Sequence, residues 1–156
     1  MKIGITGKAG FIGYHLSQTI KYKYEKFKIV PFETHFFENS KLLSSFVSSC
    51  DVIVHLAGVN RADSNKEVYN SNIQINIALK EALVNTSFKG HLIFASSYQE
   101  NSDSLYGKAK KESRVFLEKT INEQGGKFTG LIIPNVLDLF VNQSITHLLQ
   151  HFVLKS

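Results

Sequence analysis

Two side chains late in the sequence have the types and spacing needed for proton transfer. Tyr106 and Lys110 stand four positions apart at the start of a helical pattern, so they share one helix face. A phenol with a pKa of about 10 is a weak acid or base at neutral pH, but a fixed ammonium favours the phenolate and brings the group into range. The Y-x-x-x-K spacing therefore predicts an acid-base role for Tyr106, with Lys110 lowering its pKa.

A pair of hydroxyls stands upstream of this helix. Ser96 and Ser97 follow the apolar run Leu92–Ala95, which reads as a buried strand. A hydroxyl at that place can hydrogen-bond a carbonyl or alcohol oxygen while Tyr106 moves the proton. Serines are also ordinary turn residues, so the pair has meaning for catalysis only together with Tyr106 and Lys110.

A glycine-rich turn near the start of the sequence has the spacing G-x-x-G-x-x-G, formed by Gly7, Gly10 and Gly13. A predicted strand precedes it and an apolar helix pattern follows it. Such a turn lets backbone N–H groups and a helix N-terminus approach a phosphate. Gly7 suits a positive φ, Gly10 leaves room for a diphosphate, and Gly13 lets the helix pack on the strand. Dinucleotide binding is therefore favoured over a loop that merely needs glycines.

The elements that must position these residues alternate along the sequence. Strands are predicted over Lys2–Thr6, Lys28–Glu33, Asp51–Leu56, His91–Ala95 and Phe128–Ile133. Helices are predicted over about Gly10–Tyr22, Ser40–Ser49, Lys66–Asn85, Leu105–Gln124 and Asn142–Val153. This alternation predicts the α/β class, with a doubly wound parallel sheet of about five strands. The ligand is expected beyond the carboxyl ends of the strands, where four of the singled-out segments fall: Gly7, Ala57-Gly58, Ser96-Ser97 and Pro134-Asn135.

Composition and charge limit the functions that the chain can have. The 156 residues suffice for one domain with a real core, and no apolar run is long enough to cross a membrane. The single Cys50 excludes an internal disulfide and a cysteine-rich metal site, and it favours a cytoplasmic setting. A net charge of +5 is modest, so nucleic-acid binding is disfavoured. His55 lies inside a strand without a second ligand at fitting spacing, and it is predicted to be a core residue, not a metal ligand.

The glycine motif, the small-residue strand end Leu56-Ala57-Gly58, the serine pair and Y-x-x-x-K occur in one order and spacing. In this the chain resembles the extended short-chain dehydrogenase/reductase family. The resemblance implies a Rossmann-like domain that binds NAD or NADP, with Ser97, Tyr106 and Lys110 as catalytic residues. Asn72 resembles the family's helix Asn that reaches the active-site region, although an isolated Asn on a helix is usually exposed. The cofactor-binding residues that the resemblance implies are Gly7, Gly10, Phe11, Ile12, Gly13, Glu33, Leu56, Ala57, Gly58, Asn72, Tyr106, Lys110 and Pro134.

The resemblance extends to one subgroup. The segment His55–Arg61, the short interval from Ser97 to Tyr106, and Pro134-Asn135 are similar to the N-terminal reductase domain of capsular-polysaccharide enzymes. Those enzymes act on nucleotide-linked keto-deoxy sugars, typically with NADPH. The resemblance implies hydride transfer to a sugar ketone with Tyr106 as proton donor. It also implies substrate contacts for Arg61, Ser96 and Asn135, although Arg61 is equally compatible with a solvated loop residue.

Some positions depart from the family pattern. Glu33 stands about where the family reads the adenosine ribose, and a carboxylate there accepts ribose hydroxyls and repels a ribose phosphate. Glu33 therefore favours NAD, whereas the subgroup resemblance favours NADP. After the fifth strand, Ile132 and about Asp138 stand where the family usually has an Arg and a Gly.

Length is the largest departure. Extended family members are roughly twice as long, and their further half supplies most of the sugar-binding surface. Residues 1–156 therefore resemble a single, incomplete NAD(P)-binding domain. Two functions stay open: a reductase or epimerase of nucleotide-linked sugars in surface polysaccharide biosynthesis, and a catalytically silent dinucleotide-binding module. A homodimer or a partner chain could supply the missing half.

Overall fold

Five parallel strands and four α-helices alternate along the described residues. The computed structural model describes residues 1–134 and 151 of the chain. The strands are β1 Lys2–Thr6, β2 Lys28–Val30, β3 Val52–His55, β4 His91–Ser97 and β5 Lys127–Ile133. The helices are α1 Phe11–Lys23, α2 Ser40–Ser48, α3 Asn65–Asn85 and α4 Leu105–Glu123, with short 3₁₀ helices at Thr34–Glu38 and Tyr98–Asn101. Most predicted bounds are right to within one or two residues, and the predicted helix Asn142–Val153 lies almost wholly outside the described residues.

All pairings in the sheet are parallel, and the strand order is β2-β1-β3-β4-β5. The order reverses between β1 and β3, so the chain winds outward in both directions from this point. In such sheets a ligand binds beyond the carboxyl ends of the strands beside the reversal. The predicted Rossmann-like, doubly wound parallel sheet is confirmed.

Two apolar clusters cover the two faces of the sheet. Alternate strand residues point to opposite faces, so Val52 and Val54 belong to one cluster and Ile53 to the other. The first cluster contains Leu16 and Ile20 from α1. The second contains buried residues of α2, α3 and α4: Leu43, Phe46, Val47, Leu79, Ala82, Leu83, Leu117 and Ile121. Burial on both faces explains why the strands read as nearly continuous apolar runs.

Strand β2 ends earlier than the sequence predicts. It stops at Val30 because Pro31 has no N–H to donate to the ladder. Phe32 then packs against the rings of Phe36, Phe37 and Phe46. Glu33 therefore lies beyond the strand, exposed, as the residue that precedes the first 3₁₀ helix.

Strand β4 ends later than predicted. It runs through Ser96 and Ser97, which pair with Ile132 and Ile133 of β5. Both serines are therefore held in regular strand backbone and not in a turn.

Within the described part of the chain, no helix combines the length and apolar character required to span a membrane.

His55 lies fully buried in β3 and joins β1 to α3 through both ring nitrogens. Thr6 Oγ1 is 2.7 Å from Nδ1, and Nε2 is 3.0 Å from Asn76 Oδ1. Because the Asn76 amide nitrogen donates to the Asn72 carbonyl, Oδ1 must accept, and the ring carries its proton on Nε2. Burial, aided by the charge of Lys110 and opposed by the Asn76 hydrogen bond, lowers the pKa of His55 to about 3. His55 is a neutral core residue, as predicted.

This histidine predicts a pH dependence of stability. Because the folded pKa is below the ordinary 6.5, its contribution is present above pH 6.5 and is lost as the pH falls towards 3. One proton changes the free energy of unfolding by up to about 1.4 kcal/mol per pH unit. Between pH 6.5 and 4, urea titrations should show a steeper loss for wild type than for His55→Gln. The exposed His35→Gln is the control and should keep the wild-type slope, whereas equal slopes for wild type and His55→Gln would contradict this account.

Candidate active site

A cleft of about 850 Å³ opens beyond the carboxyl ends of the strands. Four strand ends form its walls: β1 with the glycine turn and the start of α1, β3 with the following loop and the start of α3, β4 with the start of α4, and β5. The structure therefore brings most of the predicted site residues into one cavity. Those that line it are Gly7, Gly10, Phe11, Ile12, Gly13, Leu56, Gly58, Arg61, Ser96, Ser97, Tyr106, Lys110 and Pro134.

Close backbone packing explains two of the glycines. Gly7 has a φ of +72°, and a Cβ there would lie 2.7 Å from the backbone nitrogen of Ala57. A Cβ on Gly13 would overlap the carbonyl oxygen of Gly7. The turn is closed by the Gly10 N–H, which donates to that same carbonyl at 3.0 Å. The turn thus lies directly against the end of β3, and α1 starts directly against the turn.

The N-terminus of α1 suits an anion. Gly10 precedes the helix and brings no side chain to cap it, and the first turn contains no acidic residue. The first N–H groups of a helix lack partners within the helix, and its dipole favours negative charge there. Since the cleft reaches Phe11, Ile12 and Gly13, these features fit the diphosphate of a dinucleotide.

Asn72 shapes the cleft from behind its wall. It is fully buried, and its side chain holds both backbone groups of Val59: Oδ1 accepts from the N–H at 3.2 Å and Nδ2 donates to the carbonyl at 2.6 Å. A Cβ on Gly58 would lie 2.9 Å from Asn72 Oδ1 and 3.2 Å from Lys110 Nζ. Asn72 and Ala57 therefore support the cleft without lining it.

Lys110 places a buried ammonium at the cleft. The residue is 4 % exposed, and Nζ donates to the carbonyl of Ala95 at 3.0 Å. Burial lowers the pKa of Lys110 to about 8, and the charge of Glu100 opposes this. An ammonium has three donors, and within the described residues only Ala95 accepts a hydrogen bond from it. The other two donors are available to oxygens of a molecule in the cleft.

The electrostatics of Tyr106 differ from the prediction. Its ring centroid is 5.9 Å from Lys110 Nζ, but burial raises the pKa of the phenol above its ordinary value. The physical reason is that Lys110 bonds to the Ala95 carbonyl and not to the phenol. Tyr106 is therefore held in its protonated form, which is the form of a general acid.

The two serines have different partners. Ser97 Oγ accepts the N–H of Gln99 at 3.2 Å, and among the described residues its own proton has no acceptor, which leaves it for a ligand oxygen. The Ser96 hydroxyl donates to the carboxylate of Glu100, a buried residue of the second 3₁₀ helix. The structure thus gives Ser96 an internal partner where the sequence predicted a substrate contact.

One other predicted residue, Glu33, is not brought to the cleft. Glu33 is exposed and is not part of the cleft lining, and it lies beyond the end of β2 at Val30. Asn135 lies outside the described residues. Sequence reasoning also missed several polar lining residues: Asn60, Asn65, Gln99 and Ser104. Of these, only Ser104 had a usable signal, since it stands three residues before Gly107 at a helix start and caps α4.

The family of the chain follows from its sequence together with this site. Residues 3–155 match the NAD dependent epimerase/dehydratase family. The chain belongs to this family. The predicted resemblance and the predicted nicotinamide cofactor, NAD or NADP, are thereby confirmed, while the choice between the two dinucleotides stays open.

One relative is the UDP-2-acetamido-2,6-beta-L-arabino-hexul-4-ose reductase of Pseudomonas aeruginosa, with 30% identity over 136 residues. The match covers 87% of this chain but only 36% of the reductase. Another is the capsular polysaccharide assembling protein CapF from Staphylococcus aureus, whose structure matches with 28% identity and a TM-score of 0.66. That match also covers 86% of this chain and 36% of CapF. The chain thus spans about a third of the length of these relatives.

A third comparison supports the fold alone. RMD from Pseudomonas aeruginosa, solved in complex with NADPH, matches with a TM-score of 0.74 at 17% identity. It covers 86% of this chain and 53% of RMD. A shared backbone at such low identity confirms the Rossmann-like architecture.

The glycine turn predicts a mutation that blocks dinucleotide binding. A Cβ on Gly10 would lie 3.2 Å from the Gly7 carbonyl oxygen, so Gly10→Val needs a small shift of that carbonyl and fills the space in front of the turn. We expect titration calorimetry to show at least about tenfold weaker binding of NADH and NADPH, a loss of about 1.4 kcal/mol. Gln18→Val, on the same helix but outside the cleft, is the control and should bind like wild type. Equal affinity of Gly10→Val and wild type for the dinucleotides would contradict binding at the glycine turn.

Proposed function

We propose that this chain is the dinucleotide-binding and proton-transfer part of a reductase or epimerase that acts on nucleotide-linked sugars in surface polysaccharide biosynthesis. One observation carries the proposal: a single cleft contains the glycine turn, Ser97, Tyr106 and Lys110. The UDP-sugar reductase of Pseudomonas aeruginosa, which is 30% identical, supports a nucleotide-linked keto sugar as substrate. We place the reaction in the cytoplasm, where such sugars and nicotinamide dinucleotides are both available.

The residues of the cleft fit a nicotinamide dinucleotide. The turn at Gly7 and the N–H groups at the start of α1 would hold its diphosphate. The two free donors of Lys110 would hold ribose hydroxyls. A dinucleotide bound there in its reduced form would supply a hydride to the ketone carbon and would itself be oxidised.

The chain's own part in the reaction is proton transfer to the ketone oxygen. Tyr106 donates this proton, and its raised pKa keeps the phenol protonated until it is needed. The free proton of the Ser97 hydroxyl makes a hydrogen bond to the same oxygen and stabilises the charge that develops there. Arg61, on the loop after β3, lines the cleft, which supports a role in binding a substrate phosphate. Asn135 remains a predicted substrate contact.

A second function is favoured by the length comparison. The chain spans 36% of the UDP-sugar reductase, so most of that relative's length has no counterpart in the match. A module that binds a dinucleotide without turnover fits this observation, as does a chain that is completed by a second copy or by a partner. We call the chain together with such a sugar-binding part, joined to it or co-expressed, the completed enzyme.

Cofactor choice can be tested at the loop after β2. If Glu33 reads the adenosine ribose, NADH should bind more tightly than NADPH, because the carboxylate repels a ribose phosphate. Calorimetry on Glu33→Arg should then show the preference narrowed or reversed. Glu38→Arg makes the same charge change in the adjoining 3₁₀ helix and is the control. It should leave the preference for NADH over NADPH unaltered. A clear NADPH preference in wild type would show that Glu33 does not choose the cofactor.

Tyr106 provides the test of the chemistry. Tyr106→Phe removes only the phenolic oxygen, so the completed enzyme should lose about a hundredfold or more in turnover while it still binds the dinucleotide. Stopped-flow oxidation of NADH or NADPH with a nucleotide-linked keto sugar measures this. Tyr22→Phe, at an exposed position of α1, is the control. Wild-type turnover by Tyr106→Phe would refute the assignment, and a wild type that binds the dinucleotide but never oxidises it would favour the silent module.

A further inference from the structure

A buried carboxylate lies next to the catalytic helix without lining the cleft. Glu100 belongs to the 3₁₀ helix Tyr98–Asn101, and its side chain is 3% exposed. Arg114 Nε lies 2.9 and 3.1 Å from its two oxygens, and Nη2 lies 2.9 Å from one of them. Ser96 donates a further hydrogen bond. We call Ser96, Glu100 and Arg114 the carboxylate clasp.

The partners of Glu100 compensate its burial. Burial alone would raise the pKa of Glu100, but the hydrogen bonds from Arg114 and Ser96 outweigh it and leave the pKa below the ordinary value. Glu100 is thus ionised at neutral pH. A buried charge pair of this kind is weak evidence for stability, because a packed apolar pair of similar volume often serves as well. Its position therefore needs another explanation.

The carboxylate clasp holds α4 on the same helix face that carries Tyr106 and Lys110. Arg114 stands four residues after Lys110 and eight after Tyr106, so the three lie along one stripe of the helix. At the other end of the clasp, Ser96 directly follows Ala95, the residue whose carbonyl receives the Lys110 ammonium. Two neighbouring residues of β4 thus fix two successive turns of α4.

The start of α4 is held by the same 3₁₀ helix. A Cβ on Gly107 would overlap the carbonyl oxygen of Gln99, so the two backbones are in direct contact. Ser104 Oγ accepts the Gly107 N–H at 3.0 Å and donates to the Gln99 side chain at 3.2 Å. The charge of Glu100 also favours the protonated form of Lys110 against the effect of burial.

We propose that Glu100 is a positioning residue, which acts through Arg114 to fix α4 against the end of β4 so that Tyr106 and Lys110 face the cleft together. This inference rests on the proposed function, because it gives Tyr106 and Lys110 their catalytic roles. The pair of side chains acts as one unit. Without Arg114, the buried Glu100 carboxylate keeps the hydrogen bond from Ser96 but loses its counter-charge. Without Glu100, Arg114 keeps only the longer contact to Glu118, at 3.7 Å, and no longer ties α4 to the 3₁₀ helix.

Four variants test this: Glu100→Gln, Arg114→Gln, the double variant, and Leu43→Ala. Leu43 is buried on α2, so its truncation destabilises the fold by a cavity outside the carboxylate clasp. In the 156-residue chain, hydrogen exchange of residues 107–111 should be faster by about tenfold or more in both single clasp variants, relative to residues of α1. In Leu43→Ala, hydrogen exchange of residues 107–111 should not become faster relative to residues of α1. Unchanged protection of α4 in the clasp variants would overturn the inference.

The completed enzyme supplies the functional readout at a temperature where all variants are folded. Each single clasp variant should lower kcat by about tenfold to a hundredfold, because small misplacements of reacting groups have effects of that size. The fall in kcat should exceed the rise in the dinucleotide Kd, and the double variant should be no slower than the slower single variant. Wild-type kcat in the single variants, or effects that multiply in the double, would overturn the inference.

The outcome for Tyr106→Phe separates the two claims. If Tyr106→Phe is inactive and Glu100→Gln is fully active, the positioning role is wrong and the proposed function stands. If Tyr106→Phe is as active as wild type, the proposed function is wrong whatever the clasp variants do. If Leu43→Ala loses kcat as strongly as the clasp variants, the effect is one of stability, and the positioning role is likewise wrong.

Discussion

The buried ammonium of Lys110 is the constraint on which the candidate active site depends. A charged group in the interior needs polar partners, and the Ala95 carbonyl at the end of β4 provides only one. The space around it is arranged accordingly: Gly58 has no side chain to crowd it, and Glu100 opposes its loss of charge. Two of its donors have no hydrogen-bond acceptor among the described residues, and Lys110 lines the cleft. The same group thus ties α4 to the sheet and presents a cation to a ligand.

A second polar network supports the opposite wall of the cleft. Thr6 accepts the N–H of Ala57 and contacts His55, which in turn contacts Asn76 on α3. Asn76 donates a hydrogen bond to the carbonyl of Asn72, and the Asn72 side chain holds the backbone after β3. The end of β3 is therefore fixed from below while the glycine turn packs on it from above. Such a wall lets a dinucleotide approach backbone atoms without moving them.

Local patterns in the sequence carried the fold and much of the site. Apolar runs, the glycine turn and the Y-x-x-x-K spacing are features of neighbouring residues, and the structure follows them closely. Strand β2 was misjudged because Pro31 interrupts a run whose composition still favours a strand. The clasp between Glu100 and Arg114 was not predicted, because residues 14 positions apart meet only after α4 packs on β4. The prediction that Lys110 lowers the pKa of Tyr106 was wrong for the same reason. Only the packing of α4 on β4 determines that the Lys110 ammonium bonds to the Ala95 carbonyl and not to the phenol.

A crystal structure of the chain with bound NADH or NADPH tests the central claim most directly. The account predicts the diphosphate at the N-terminus of α1 beside Gly7 and Gly13, and ribose oxygens within hydrogen-bond distance of Lys110 Nζ. It also predicts that the nicotinamide end lies towards Ser97 and Tyr106. A dinucleotide bound elsewhere, or one bound at the glycine turn with its nicotinamide directed away from Tyr106, would contradict it.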